Sequence, residues 1–224
     1  MIMPLSTLRR KYIVVDVDTQ THFFTNRGII CVQNHRQVLA NILRVIKWAK
    51  QKNIRMISTV QILPTRFPYC GSHILDLEDQ KKVRYTFYKR HASLDATDCT
   101  DLPVRILERY DQLVLHKRCF DPFEEPRVDR VLSELQAEEF VLIGAPTEGA
   151  VKATALGLLG RRKTVTLLFD ATGPYDKTAG KLTLRHMVQR GAKLIGTDRF
   201  LASVHRTPAK SGFSMGSSGA YGKP

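Results

Sequence analysis

Three segments of this 224-residue chain carry side chains that could do chemistry together. DVDTQTHFF (16–24) supplies carboxylates, HKRCFDPF (116–123) supplies an ammonium, and GAPTEGAVKATA (144–155) reads as a short loop feeding a helix after a buried strand. The start of a helix offers unpaired N–H groups and the positive end of the macrodipole, where a thiolate or an oxyanion is stabilised. A carboxylate, an ammonium and a helix N-terminus meeting in one crevice are the working parts of a hydrolase. Here, however, the helix start presents Ala150 where a reactive group would stand.

The elements that must position these segments follow from hydrophobic patterning. Apolar runs of strand length recur at 12–17, 54–60, 112–116, 139–144, 164–169 and 192–196. Most are continuous rather than alternating, as expected of parallel strands buried on both faces. Helical periodicity lies between them. Residues 35–51 set Val38, Ile42, Val45 and Ala49 on one stripe, residues 126–138 open on Pro126, and further helices are expected over 149–160 and 179–190, the last ending at Gly191. This alternation predicts an α/β three-layer sandwich: a mostly parallel sheet of about six strands with helices on both faces. Ligands of such sheets sit outside the carboxyl ends of the strands, where all three chemical segments fall. The interval 61–111 is less regular and reads as an excursion over those strand ends.

Length and composition fit one sizeable domain, 12–204, between a basic arm (1–11) and a Gly/Ser-rich basic tail (205–224) expected to be disordered alone. No apolar run approaches the ~20 residues of a membrane span. The start lacks the order of a secretory signal and reads as a basic arm or the stub of a mitochondrial presequence, so an intracellular site, cytoplasmic or mitochondrial, is expected. Four cysteines, Cys31, Cys70, Cys99 and Cys119, form no CxxC pair and are expected to be reduced. The net charge is +14, and removing the six basic residues of the two terminal segments still leaves +8 on the body. Such a surplus favours anionic partners, RNA or an acidic protein, and is equally consistent with a plain solvated surface. Two candidate anion-binding clusters stand out. Lys81, Lys82, Arg84, Lys89 and Arg90 are interleaved with Tyr85, Phe87 and Tyr88, and Arg161, Arg162 and Lys163 occupy a helix-to-strand turn. The first cluster reads first as an amphipathic lid with its aromatics packed inward, and second as a nucleic-acid surface.

The three chemical segments, in this order, resemble the isochorismatase-like cysteine hydrolases, which include nicotinamidases, over about residues 10–205. The family's D-x-Q-x-x-F matches Asp18, Gln20 and Phe23; its K-x-x-F-x-x-F matches Lys117, Phe120 and Phe123. Its G-hydrophobic-A-T-[DE]-x-C-V-x-x-T-A matches Gly144, Ala145, Thr147, Glu148, Val151, Thr154 and Ala155, and a later D-A matches Asp170 and Ala171. The resemblance implies a triad of Asp18, Lys117 and a cysteine whose thiolate attacks a carbonyl, with a pocket that includes Gln20, Phe23, Phe120, Pro146, Thr147 and Glu148. At the cysteine position stands Ala150, and a methyl group attacks nothing. The family's non-proline cis peptide falls at Ala145–Pro146, where proline keeps the backbone shape but removes an N–H of the implied oxyanion hole.

These departures lead us to expect a natural pseudoenzyme kept as a binding or structural subunit, in an RNA-containing assembly or with an acidic partner. Two alternatives stay open: an active hydrolase of an amide, ester or vinyl-ether bond, and a sensor holding a small molecule in the old pocket. Some relatives hold a metal through D-x-H-x-x-H; QILPTRFPYCGSH (61–73) lacks that spacing, so neither metal nor cofactor is expected. The resemblance also implies self-association as dimers or tetramers.

Overall fold

The computed structural model describes residues 5, 9–25, 31–62, 78 and 80–205. Seven strands and seven α-helices follow one another: β1 (Arg10–Val17), α1 (Thr21–Phe24), α2 (His35–Gln51), β2 (Arg55–Gln61), β3 (His91–Leu94), α3 (Ile106–Arg109), β4 (Gln112–Lys117), α4 (Pro126–Glu134), β5 (Ala137–Gly144), α5 (Lys152–Gly160), β6 (Val165–Thr172), α6 (Lys177–Gln189), β7 (Lys193–Ile195) and α7 (Thr197–His205). The strands form one sheet in the order β3-β4-β2-β1-β5-β6-β7, and every pairing is parallel.

Side chains alternate across the sheet and build two cores. Ile13, Val15 and Val17 of β1, with Phe140 and Leu142 of β5, pack beneath α3, α4, α5 and α6. Val14, Val141 and Ile143 point the other way, to Val38, Ile42, Val45 and Trp48 of α2 and Phe200 of α7. Helix α2 forms because its apolar residues recur at helical spacing. It ends where Lys52 leaves the helix and Asn53 turns left-handed (φ 52°), a common way to satisfy the last carbonyls.

The strand count is seven rather than about six. The added strand is β3, a four-residue edge strand in the interval expected to be irregular, where HASL has too little apolar character to stand out. Helix α4 ends at Glu134, short of the expected 138, because from Ala137 the chain is already paired with Arg10 of β1. The 149–160 helix is regular only from Lys152. Thr147–Val151 form a wider turn in which Gly149 is non-helical (φ −106°, ψ −108°). Most of the basic arm and the tail beyond 205 lie outside the described residues, as does Cys70. No helix among the described residues is long and apolar enough to cross a membrane.

β1 and β5 are neighbours whose onward connections run to opposite sides of the sheet, to β2 and to β6. The switch point therefore lies between their carboxyl ends, where α/β sheets place their ligands. Gly144 ends β5 there with φ 126°, and a Cβ on it would lie 1.9 Å from the Val17 carbonyl oxygen. Only glycine allows so close a crossing. The Ala145 N–H then donates to the same Val17 oxygen at 2.9 Å, fixing the third chemical segment beside the first.

Candidate functional site

At this switch point Asp18 leaves β1 in the left-handed region (φ 47°), which aspartate tolerates better than most residues because its short side chain bonds locally. Here Thr59 Oγ1 donates to Asp18 Oδ1 at 2.6 Å, and Lys117 Nζ lies 2.7 Å from Oδ2. Both charged side chains are completely buried. Lys117 also donates to the carbonyls of Cys119 (3.0 Å) and Phe120 (3.4 Å), so the ammonium is fully engaged. Phe120 is 39% exposed, and its ring lies beside Gly149 of the wide turn. The three chemical segments thus meet. Ala150 is fully buried in that turn, and its carbonyl accepts from Thr154 Oγ1 at 2.7 Å.

The other expected pocket residues mostly hold the walls. Gln20 donates through Nε2 to the carbonyls of Gln61 (2.9 Å) and Gln80 (2.6 Å), and its Oε1 accepts from Gln61 N. Phe23 is buried against the His22 ring. Glu148 accepts from the N–H groups of Tyr175 and Asp176, both at 3.1 Å, and so anchors the loop into α6. Ala145–Pro146 is cis and Pro146 is buried. Thr147 donates its N–H to Gly173, while its buried hydroxyl makes no hydrogen bond among the described residues. Phe123 sits over Gly157, which has no side chain to obstruct the ring, and carries the Arg161 guanidinium 3.8 Å from its centroid.

A second buried ion pair lies two residues upstream. Asp16 is paired with Lys82, accepts from Thr19 Oγ1, and accepts from Ser58 Oγ at 3.0 Å; Ser58 in turn accepts from Gln112 Nε2 at 2.9 Å. Sequence reasoning missed this network, although a carboxylate inside the run YIVVDV signals a buried cation partner. Lys82 is therefore corrected: placed among surface anion-binding candidates, it is 2% exposed at its side chain and neutralised by Asp16.

The rest of the basic candidates divide. Arg90 is held by the Arg109 and Glu108 carbonyls and by Asp111. Arg161 is held by Asp129, Ser133 and the Gly157 carbonyl, and Lys163 donates to the Leu135 carbonyl at 2.9 Å. Lys81 is exposed and paired with Glu78. Arg84, Lys89 and Arg162 are exposed, and no ion pair involves them among the described residues.

Cys31, Cys99 and Cys119 are free thiols. A hydrogen bond to Glu124, with some burial, pushes the Cys119 thiol up, the wrong direction for a nucleophile. Among the described residues, no group of three or more His, Cys, Asp or Glu side chains is placed to hold a metal ion.

Residues 12–199 match the model of the isochorismatase domain. Comparison with curated proteins gives no match. Among solved structures, the chain is similar to an isochorismatase-like hydrolase from Alkaliphilus metalliredigens (14% identity, 88% of this chain and 99% of that one, TM-score 0.68). It is also similar to a pyrazinamidase of Pyrococcus horikoshii in complex with zinc (20%, 83% and 99%, TM-score 0.63) and to the MAR1 ribonuclease from Caenorhabditis elegans (18%, 88% and 82%, TM-score 0.59). At these identities each likeness is one of fold.

Proposed function

The chain belongs to the isochorismatase domain family, and from that premise we propose that it is a pseudoenzyme: a hydrolase fold kept as the binding subunit of an RNA-containing assembly. The observation that carries this reading is Ala150, a buried methyl at the position the family motif gives to the nucleophilic cysteine. Asp18 and Lys117 neutralise each other, so the proton acceptor and the cation that would activate a thiol have nothing to activate. Pro146 supplies no N–H, and the loss of one oxyanion donor costs other hydrolases about 3 kcal/mol of transition-state stabilisation. RNA is the partner class to test first because the body of the chain carries a strong positive surplus. One of the similar folds, from Caenorhabditis elegans, is moreover named as a ribonuclease.

The test is sedimentation from a gentle lysate, with and without RNase and at two salt concentrations, beside turnover assays on a panel of amides and esters. The expected result is migration with a large particle, release by RNase or salt, and no turnover. Turnover abolished by both Asp18→Asn and Lys117→Met would instead make the chain an active hydrolase. Migration as a small oligomer under every condition, with heat stabilisation by a small carboxylate or amide, would make it a sensor.

A further inference from the structure

Residues 84–90 form a ridge between two grooves. One, of about 540 Å³, is lined by Lys50, Asn53, Phe87, Tyr88, Lys89, Arg90 and Asp111. The other, of about 520 Å³, includes Lys81, Arg84, Phe87 and His116 in its walls. Phe87 borders both grooves. Tyr85, beside Arg84 on the ridge, is 78% exposed.

The cations here are not balanced locally. Each groove has an acid in its wall, Asp111 or Glu78, and each acid is paired, with Arg90 and Lys81 respectively. Lys50, Arg84 and Lys89 make no ion pair among the described residues, and Lys50 lies 5.4 Å from the centroid of the Tyr88 ring. Partial burial lowers the Lys50 ammonium from its usual range, and a neighbouring anion would act in the opposite direction. By contrast, two of the three cations at 161–163 already hold protein oxygens.

Resting on the reading of the chain as an RNA-bound subunit, we propose that the two grooves form one track for single-stranded RNA, with Lys50, Lys89 and Arg84 facing phosphates and Phe87 and Tyr85 offering stacking faces. Unpaired cations interleaved with rings, Tyr85 exposed and Phe87 half-buried beside His91, are the features an unstructured nucleic-acid strand uses. A duplex would bury its bases from these rings, and an acidic peptide would have no use for them.

The test measures fluorescence anisotropy of a short unstructured labelled RNA with the full chain at several salt concentrations. The triple variant Lys50→Gln/Arg84→Gln/Lys89→Gln is compared with an equally discharged control on α6 and its end, Lys181→Gln/Arg185→Gln/Arg190→Gln. All six side chains are exposed. We expect the first variant to weaken binding at least about tenfold and to flatten the log–log salt slope by about 2, at ~0.7 for each phosphate no longer neutralised. The control should change affinity less than about twofold, and Tyr85→Ala should weaken RNA while sparing binding of a polyphosphate. Equal losses in both triple variants would overturn the track while leaving RNA association intact. Poly-glutamate competing as well as RNA would overturn the choice of nucleic acid. No binding of RNA by the unaltered chain would overturn the track and the RNA part of the proposed function together.

Discussion

Two lysine–aspartate pairs take their aspartates from the end of β1 and the residue just past it, two positions apart, with the same charges and almost the same burial. Asp18–Lys117 matches the motif positions of a catalytic family; Asp16–Lys82 matches none. Their surroundings separate them. Lys117 comes from the end of β4, holds two carbonyls of the loop that follows, and lies beneath the partly exposed Phe120. Lys82 comes from the irregular segment before the ridge, and its partner Asp16 is wired into Thr19, Ser58 and, through Ser58, Gln112. The lesson is that a buried ion pair does not by itself mark a catalytic centre. One pair, with its lysine also bonded to the loop after β4, lies where that loop meets the wide turn carrying Ala150; the other ties a connecting segment to the sheet. Burying either pair costs desolvation that mutual attraction offsets only while both members remain.

That comparison can be broken, and the largest break is expected at the tie. Lys82→Met strands Asp16 inside the sheet and should cost about 3–5 kcal/mol, lowering the melting temperature by roughly 6–20 °C. Urea unfolding with a loss under about 1 kcal/mol would show that the pair ties nothing. Lys117→Met should fall at the lower end of that range, about 3 kcal/mol, because Asp18 keeps Thr59 and lies at a strand end near the partly exposed Phe120. Replacing both members, Asp18→Asn with Lys117→Met, should recover much of that loss, and the cycle should give a coupling of about 1–3 kcal/mol. Additive losses would mean that the two side chains do not act as a pair.

The smallest effect concerns thiols. Cys119 lends its carbonyl to Lys117, so any residual activation of a neighbouring thiol should surface there. A hydrogen bond to Glu124 pushes the Cys119 thiol up, whereas a hydrogen bond to Thr97 pulls the exposed Cys99 thiol down. Alkylation followed by mass spectrometry should therefore label Cys99 first, its rate climbing at lower pH than that of Cys119, since the thiolate is the reacting form. The reverse order would revive Cys119 as a candidate nucleophile.

The sheet and its principal helices were legible because periodicity is a local signal, and strand after strand alternates with helix. Asp18, Lys117 and Ala150 were legible because motif spacing places them at strand and helix ends. What escaped depends on distance along the chain. Asp16 announced a buried charge, but Lys82 lies 66 positions away in a run that looks like ordinary solvated surface. Arg161 likewise looks free in the sequence, whereas in the fold Phe123 covers the bare Gly157 and the guanidinium stacks above the ring. β3 escaped for the opposite reason: four half-exposed residues carry too little pattern, and their strand form comes from the neighbour β4. Lys50 read only as one more cation on α2; the fold alone carries it to the Tyr88 ring.

The backbone of residues 19–21 is stitched to that of 81–83: Thr21 N–H donates to the Lys81 carbonyl at 2.8 Å, Val83 N–H donates to the Thr19 carbonyl at 2.9 Å, and Gln20 reaches Gln80. The loop that follows Asp18 is thereby the footing of the basic ridge. In amide hydrogen exchange the two strips should open as one cooperative unit, with Thr21 and Val83 sharing a single opening free energy. A ligand clamped on the ridge would then slow exchange beside Asp18 without touching it, so that the rigidity holding Asp18 against Lys117 would also hold a surface still.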